Sequence, residues 1–179
     1  MRLDLSVSLV HRKELYIAYR LTNIHDSKII LVEGIQDYYV LKKMINNIDY
    51  HNKMREFDIV PNVGASKIQY LYSYLLGLGY DLFVVFDDDK AGNIALKDIK
   101  NSLSGTDFEN RILNYGVVKN GAKLEDLFDA SDKNLLDHNN TYTYRKFYEE
   151  VESINLSDNT KENFKTLFDH ILELASNNK

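Results

Sequence analysis

Phe83-Val84-Val85-Phe86-Asp87-Asp88-Asp89-Lys90-Ala91-Gly92 is the stretch whose reading decides the fold. An apolar run from Leu82 to Phe86 stops at three aspartates. A short run with β-branched and aromatic members, set between Gly79 and Gly92, reads as a buried strand. A strand apolar on both faces belongs in a parallel sheet covered by helices. The aspartates then fall at its carboxyl end, where open α/β sheets hold their ligands. Adjacent carboxylates repel one another, and a hard divalent cation such as Mg²⁺ or Mn²⁺ relieves the repulsion. The plainer reading is an acidic helix cap that satisfies free N–H groups and meets the helix dipole.

A second acidic strand end lies upstream. Lys28-Ile29-Ile30-Leu31-Val32 is an apolar run that ends at Glu33-Gly34, and Tyr38, Leu41, Met44, Ile45 and Ile48 follow at helical spacing. Asp58-Ile59-Val60 predicts a short strand. Ala65-Ser66-Lys67 opens a helix with Ile68, Leu71, Leu75 and Leu76 inward, closed by Gly77 and Gly79. Residues 93–103 predict a helix with Ile94, Leu96, Ile99 and Leu103 as its apolar members, and 111–115 a fourth strand. This alternation predicts a parallel, right-handed, Rossmann-like α/β sheet over 28–130. An alternating arm and a helix precede it in 1–27. Helices at 142–154 and 160–175, the second capped by Ser157 or Asn159, make a C-terminal helical extension over 131–179. If the strands ending at Glu33 and Asp87 are neighbours, about 5 Å apart, Glu33, Asp87 and Asp89 converge at one edge, and Asp37 leans toward them from the first helical turn.

Composition bounds the rest. The 179 residues and 44% hydrophobic content suit a globular domain. There is no cysteine, which removes disulfides, thiolate metal sites and a cysteine nucleophile. The five histidines show no paired metal-binding spacing. No apolar run reaches the length of a membrane span, and Met1-Arg2-Leu3-Asp4 does not open a signal peptide, so a soluble cytoplasmic protein is expected. A net charge of −5 leaves room for a nucleic-acid enzyme with a local basic stripe; Lys67, Lys90 and Lys123 fall near the expected sheet edge. Neither a dinucleotide-binding glycine motif nor a full P-loop is present, since Gly64-Ala65-Ser66-Lys67 is too short.

Val32-Glu33-Gly34 and later Asp87-Asp88-Asp89-Lys90-Ala91-Gly92, each after a hydrophobic strand, with Val63-Gly64-Ala65 between them before a helix, resemble a Toprim domain. Glu33-Gly34-Ile35-Gln36-Asp37 and the later Leu124-Glu125-Asp126-Leu127 resemble, within that group, the overcoming-lysogenization-defect (OLD) nucleases and related phage-defence effectors. The resemblance implies a four-stranded Toprim sheet flanked by helices. It implies two divalent ions, Mg²⁺ or Mn²⁺, held by Glu33, Asp37, Asp87, Asp89 and Glu125. It implies catalytic roles for Glu33, Asp87, Asp89 and a downstream lysine, for which Lys123 is taken and Lys119 is the other candidate. Two ions roughly 4 Å apart activate water and stabilise the leaving oxygen of a phosphodiester. Glu33 either ligates a metal or moves a proton, depending on its environment.

The resulting expectation is a metal-dependent endonuclease, acting on DNA ahead of RNA, in antiviral defence. The family's usual fused ATPase is missing from these residues, so a separate ATPase subunit is an expected partner, as is a second copy in a homodimer; a membrane is not. A topoisomerase would need a tyrosine nucleophile on further large domains, and a primase a zinc-binding partner. The rival readings are a Toprim ribonuclease that processes structured RNA or transfer RNA, and a catalytically silent regulatory or scaffold subunit.

Overall fold

The computed structural model describes residues 28–104, 106–136, 144, 147–149 and 155–177. Its order is β1 (Lys28–Val32), α1 (Ile35–Asn47), β2 (Phe57–Pro61), α2 (Ile68–Gly77), β3 (Asp81–Phe86), α3 (Lys90–Ser102), β4 (Ile112–Asn114) and α4 (Asp158–Ser176), with short 3₁₀ turns at Ala65–Lys67 and Leu124–Leu127. The four strands form one parallel sheet in the order β2-β1-β3-β4. The α/β Toprim-type sheet expected from the sequence is therefore present, with a C-terminal helix added. The 1–27 arm and helix lie outside the described residues, as does most of the helix expected at 142–154.

Strand alternation builds two cores, one on each face of the sheet. Ile29, Leu31, Leu82, Val84, Phe86 and Ile112 pack against Ile68, Tyr72 and Leu75 of α2 and Ala95 and Ile99 of α3. Ile30, Val32, Ile59, Phe83, Val85 and Leu113 face the other way, into one cluster with α1 and with Phe164, Leu167, Phe168 and Ile171 of α4. Residues from the C-terminal stretch thus complete the second face of the sheet. Ser157 rather than Asn159 caps α4, its hydroxyl accepting from the Thr160 N–H at 3.2 Å. Among the described residues no helix is long and apolar enough to cross a membrane.

Two local expectations differ. Helix α3 begins at Lys90 rather than 93, because the Asp89 carboxylate accepts from the Ala91 and Gly92 N–H groups, both at 2.9 Å, and starts the helix three residues early. Ile94 does not join the core: it is 53% exposed, while Ala95 and Ile99 turn inward.

Register sets the site. Val32 stands opposite Val85, so Glu33 and Asp87 leave their adjacent strands within one residue of the same level. Pairing of β1 and β2 continues past the strands, with the Asn62 N–H donating to the Val32 carbonyl at 2.9 Å and the Gly64 N–H to the Glu33 carbonyl at 2.8 Å. Gly64 takes φ 87°, the left-handed region that glycine enters freely, and turns the chain into α2.

Candidate active site at the carboxyl edge of the sheet

Glu33 is the link between the two acidic segments. Its Oε1 accepts a 2.9 Å hydrogen bond from the Asp87 main-chain N–H. Burial pushes its carboxyl up to about 7, against the pull of that hydrogen bond, and the charges of Asp87 and Asp89 push the same way. Gly92 stands behind this contact. A Cβ there would overlap the Asp87 carbonyl oxygen and lie 3.1 Å from Glu33 Oε1, so only glycine fits this close approach.

Asp37 sits on the first turn of α1 and is 7% exposed. Its Oδ2 accepts from the Gly34 N–H at 3.0 Å and its Oδ1 from the Tyr115 hydroxyl at 2.7 Å. Burial lifts its carboxyl to about 7, reinforced by the Asp87 charge and opposed by the Tyr115 bond. Asp87 Oδ1 accepts from the Leu124 N–H at 3.0 Å; burial lifts it to about 6, with Glu125 and Asp89 adding to the rise. Glu33, Asp37 and Asp87 line one open cleft of about 370 Å³, together with Gln36, Asn62 and Gly64.

The other expected residues sit beside this trio. Asp89 caps α3 with one oxygen and pairs with Lys123 Nζ through the other, at 2.8 Å. Both contacts hold its carboxyl below the usual range, and the same ion pair raises the Lys123 ammonium. The cap reading is therefore true of Asp89, and Lys123 is brought to it. Lys119 contributes its charge to Asp126 instead. Glu125 Oε1 accepts from the Tyr144 hydroxyl at 2.8 Å, close enough to Asp87 for their charges to interact. Asp126 binds Lys133 at 2.7 Å.

Asp88 turns away from the cleft and ties its far side. Its Oδ1 accepts from Asn93 Nδ2 at 2.8 Å and Asn114 Nδ2 at 3.0 Å, its Oδ2 from the Gly121 N–H at 2.6 Å, and its own N–H donates to the Ala122 carbonyl at 2.8 Å. Those bonds, led by the one from Asn93, lower its carboxyl. Sequence reasoning missed Tyr115, Asn93 and Asn114. Asn114 ends a predicted strand at the ligand-bearing edge, which was the available signal; nothing set Tyr115 apart from the other tyrosines.

Among the described residues, no three His, Cys, Asp or Glu side chains close around one point as a ready-made metal site. Their oxygens accept from main-chain N–H groups, a tyrosine and a lysine instead. The chemistry available at this edge is that of three partly desolvated carboxylates in mutual repulsion, with an ion pair alongside.

Residues 26–89 match the family model described as the overcoming lysogenization defect protein-like TOPRIM domain. The matched span holds Glu33, Asp37, Asp87 and Asp89 and ends before Lys123 and Glu125. No curated protein and no solved structure matches the chain. The domain points to a nuclease-type function on nucleic acid. The four-stranded parallel sheet agrees with that match and supports a Toprim domain of the OLD-like kind over residues 26–89.

Proposed function

We propose that this protein is a metal-dependent endonuclease that hydrolyses nucleic-acid phosphodiester bonds, with DNA as the substrate and anti-phage defence as the setting. The observation that carries the reading is the joining of the two acidic segments by the Glu33–Asp87 hydrogen bond, with Asp37 in the same cleft. Desolvated carboxylates that raise one another's pKa are the donor set a divalent cation stabilises. On this reading Glu33, Asp37 and Asp87 hold Mg²⁺ or Mn²⁺, and Asp89 and Glu125 serve a second ion. Bound there, the ions supply Lewis acidity toward the phosphodiester and toward water. Lys123 places an ammonium beside Asp89, where it meets the negative charge of a phosphate. A separate ATPase subunit and a homodimer belong to the same proposal and rest on the family resemblance alone.

One observation favours a second reading, the catalytically silent subunit: Asp89, an expected ligand, already has both oxygens engaged. Supercoiled plasmid and total RNA, each incubated with Mg²⁺ or Mn²⁺, separate the readings. Cleavage by the wild type that Glu33→Ala and Asp87→Ala abolish supports the nuclease, and the nucleic acid that is cut decides DNA or RNA. Equal cleavage by all three proteins, or none by any, contradicts it.

A further inference from the structure

Beside the acidic cleft, across the Gly64–Ala65 turn, lies a second groove. It runs between α2 and α3, holds about 290 Å³, and is lined by Ala65, Ser66, Gln69, Ala91, Ile94 and Asp98. The two clefts share that turn as a common rim, because Gly64 lines one and Ala65 the other. The groove's α3 end opens at Ala91, two residues from Asp89. Its floor is mostly apolar, with Ile94 53% exposed.

The surface around this groove has an unusual makeup. Outside the groove lining, Lys67 at the N-cap of α2 and Tyr70 and Tyr74 on it fall at i, i+3 and i+7, along one stripe. Tyr70 is 77% and Tyr74 60% exposed, while Tyr72 between them is buried in the core. On α3, Lys90, Ile94 and Lys97 repeat the pattern at i, i+4 and i+7. Lys67, Lys90 and Lys97 have no ion-pair partner among the described residues. Elsewhere Lys28, Lys123, Lys133 and Lys165 each lie against a carboxylate. Arg55, Lys100 and Lys119 likewise have no ion-pair partner among the described residues, so unpaired cations are not confined to this face; three of them, Lys67, Lys90 and Lys97, stand on it with the exposed rings of Tyr70 and Tyr74, on a chain whose net charge is −5. The carboxylate that opposes them, Asp98, lies one turn beyond Ile94, away from the shared rim.

We propose that the α2–α3 face binds a single strand of nucleic acid and leads it to the acidic cleft. Lys67, Lys90 and Lys97 meet successive phosphates, and Tyr70 stacks a base, with Tyr74 next along the stripe. Unpaired bases suit this face because flat rings bind them regardless of sequence, while a duplex keeps its base faces hidden. A protein partner fits less well, since the apolar patch is small and rimmed by uncompensated lysines. The inference rests on the nuclease reading for its purpose and stands apart from it in its test.

The test is fluorescence anisotropy of labelled oligothymidylate, about 16 nucleotides long, with the full chain in EDTA, so that cleavage plays no part. The wild type is expected to bind it, and to bind a duplex of equal length more weakly. Tyr70→Ala is expected to weaken binding roughly tenfold or more, as loss of a stacked base does. Lys67→Glu and Lys90→Glu are each expected to weaken it and to reduce the salt dependence by about one charge. These surface variants are checked by circular dichroism. Absence of wild-type binding, or binding unchanged in Tyr70→Ala and both lysine variants, overturns the proposal. So does loss of self-association in Tyr70→Ala with oligonucleotide binding intact. Strand binding without any metal-dependent cleavage sinks the nuclease reading alone.

Discussion

The Tyr115 hydroxyl donates a 2.7 Å hydrogen bond to Asp37 Oδ1, and both residues are shut away from solvent, at 0% and 7% exposed. One comes from the turn after β4, the other from the first turn of α1. A buried carboxylate that loses a donor keeps its desolvation cost, about 1–3 kcal/mol. Tyr115→Phe is therefore expected to lower the thermal midpoint by several degrees and to weaken Mn²⁺ binding, as read by calorimetry. Unchanged Mn²⁺ affinity would separate Tyr115 from the metal.

Stability of the metal-free protein should fall as pH rises from about 4 to about 7. Asp37 and Glu33 are raised to about 7 and Asp87 to about 6, so the folded state holds protons that the unfolded chain has released. Their contribution is complete below the unfolded values and is lost as each group ionises in the fold. Solvent screening makes the Glu33 and Asp87 shares smaller than that of buried Asp37. The lowered groups, Asp88, Asp89, Asp126 and Asp132, act the opposite way, below about 4. Urea midpoints at intervals across this range check the slope, which Asp37→Asn is expected to flatten.

Gly92→Ala probes the close approach of α3 to β3. The added methyl overlaps the Asp87 carbonyl oxygen and must move the segment that donates to Glu33. Overpacking of this kind costs about 1–3 kcal/mol, a drop of roughly 5 °C for a chain of this size. Gly77→Ala, which meets nothing within 4 Å, is the control expected to change little.

Asp88 acts as a strut rather than a ligand. Its carboxylate gathers Asn93 of α3, Asn114 of β4 and the Gly121 N–H, and so holds the loop that presents Lys123 and the Leu124 N–H to Asp89 and Asp87. Gly116 leaves room for it, since a Cβ there would come 2.5 Å from Asp88 Oδ2. Asp88→Ala is expected to speed amide exchange at Gly121 and Leu124 roughly tenfold, as a local loss of about 1.4 kcal/mol gives. Exchange in β1 should stay as it was.

The sheet was legible because a buried parallel strand announces itself through composition: Ile29 to Val32 and Leu82 to Phe86 leave little else to be. The positions of Glu33 and Asp87 followed from where those runs stop. What lay beyond reading was set by contacts distant in sequence. Nothing near Tyr115 tells that it meets Asp37, 78 positions away. Asp88 and Asp89 look alike in a row of three, and only the turn geometry assigns one to the Asn93–Asn114 network and the other to the α3 cap. Ile94 fits an apolar helical pattern, yet the angle at which α3 lies on the sheet selects Ala95 and Ile99 instead.

Calorimetric Mn²⁺ titration of the wild type, Glu33→Ala, Asp87→Ala and the double variant tests the central claim most directly. If the two carboxylates share a cation, each single change abolishes or greatly weakens the same binding event, and the double variant is hardly worse than either single one. Losses that simply add, or a wild type that binds no Mn²⁺, would contradict a common metal site.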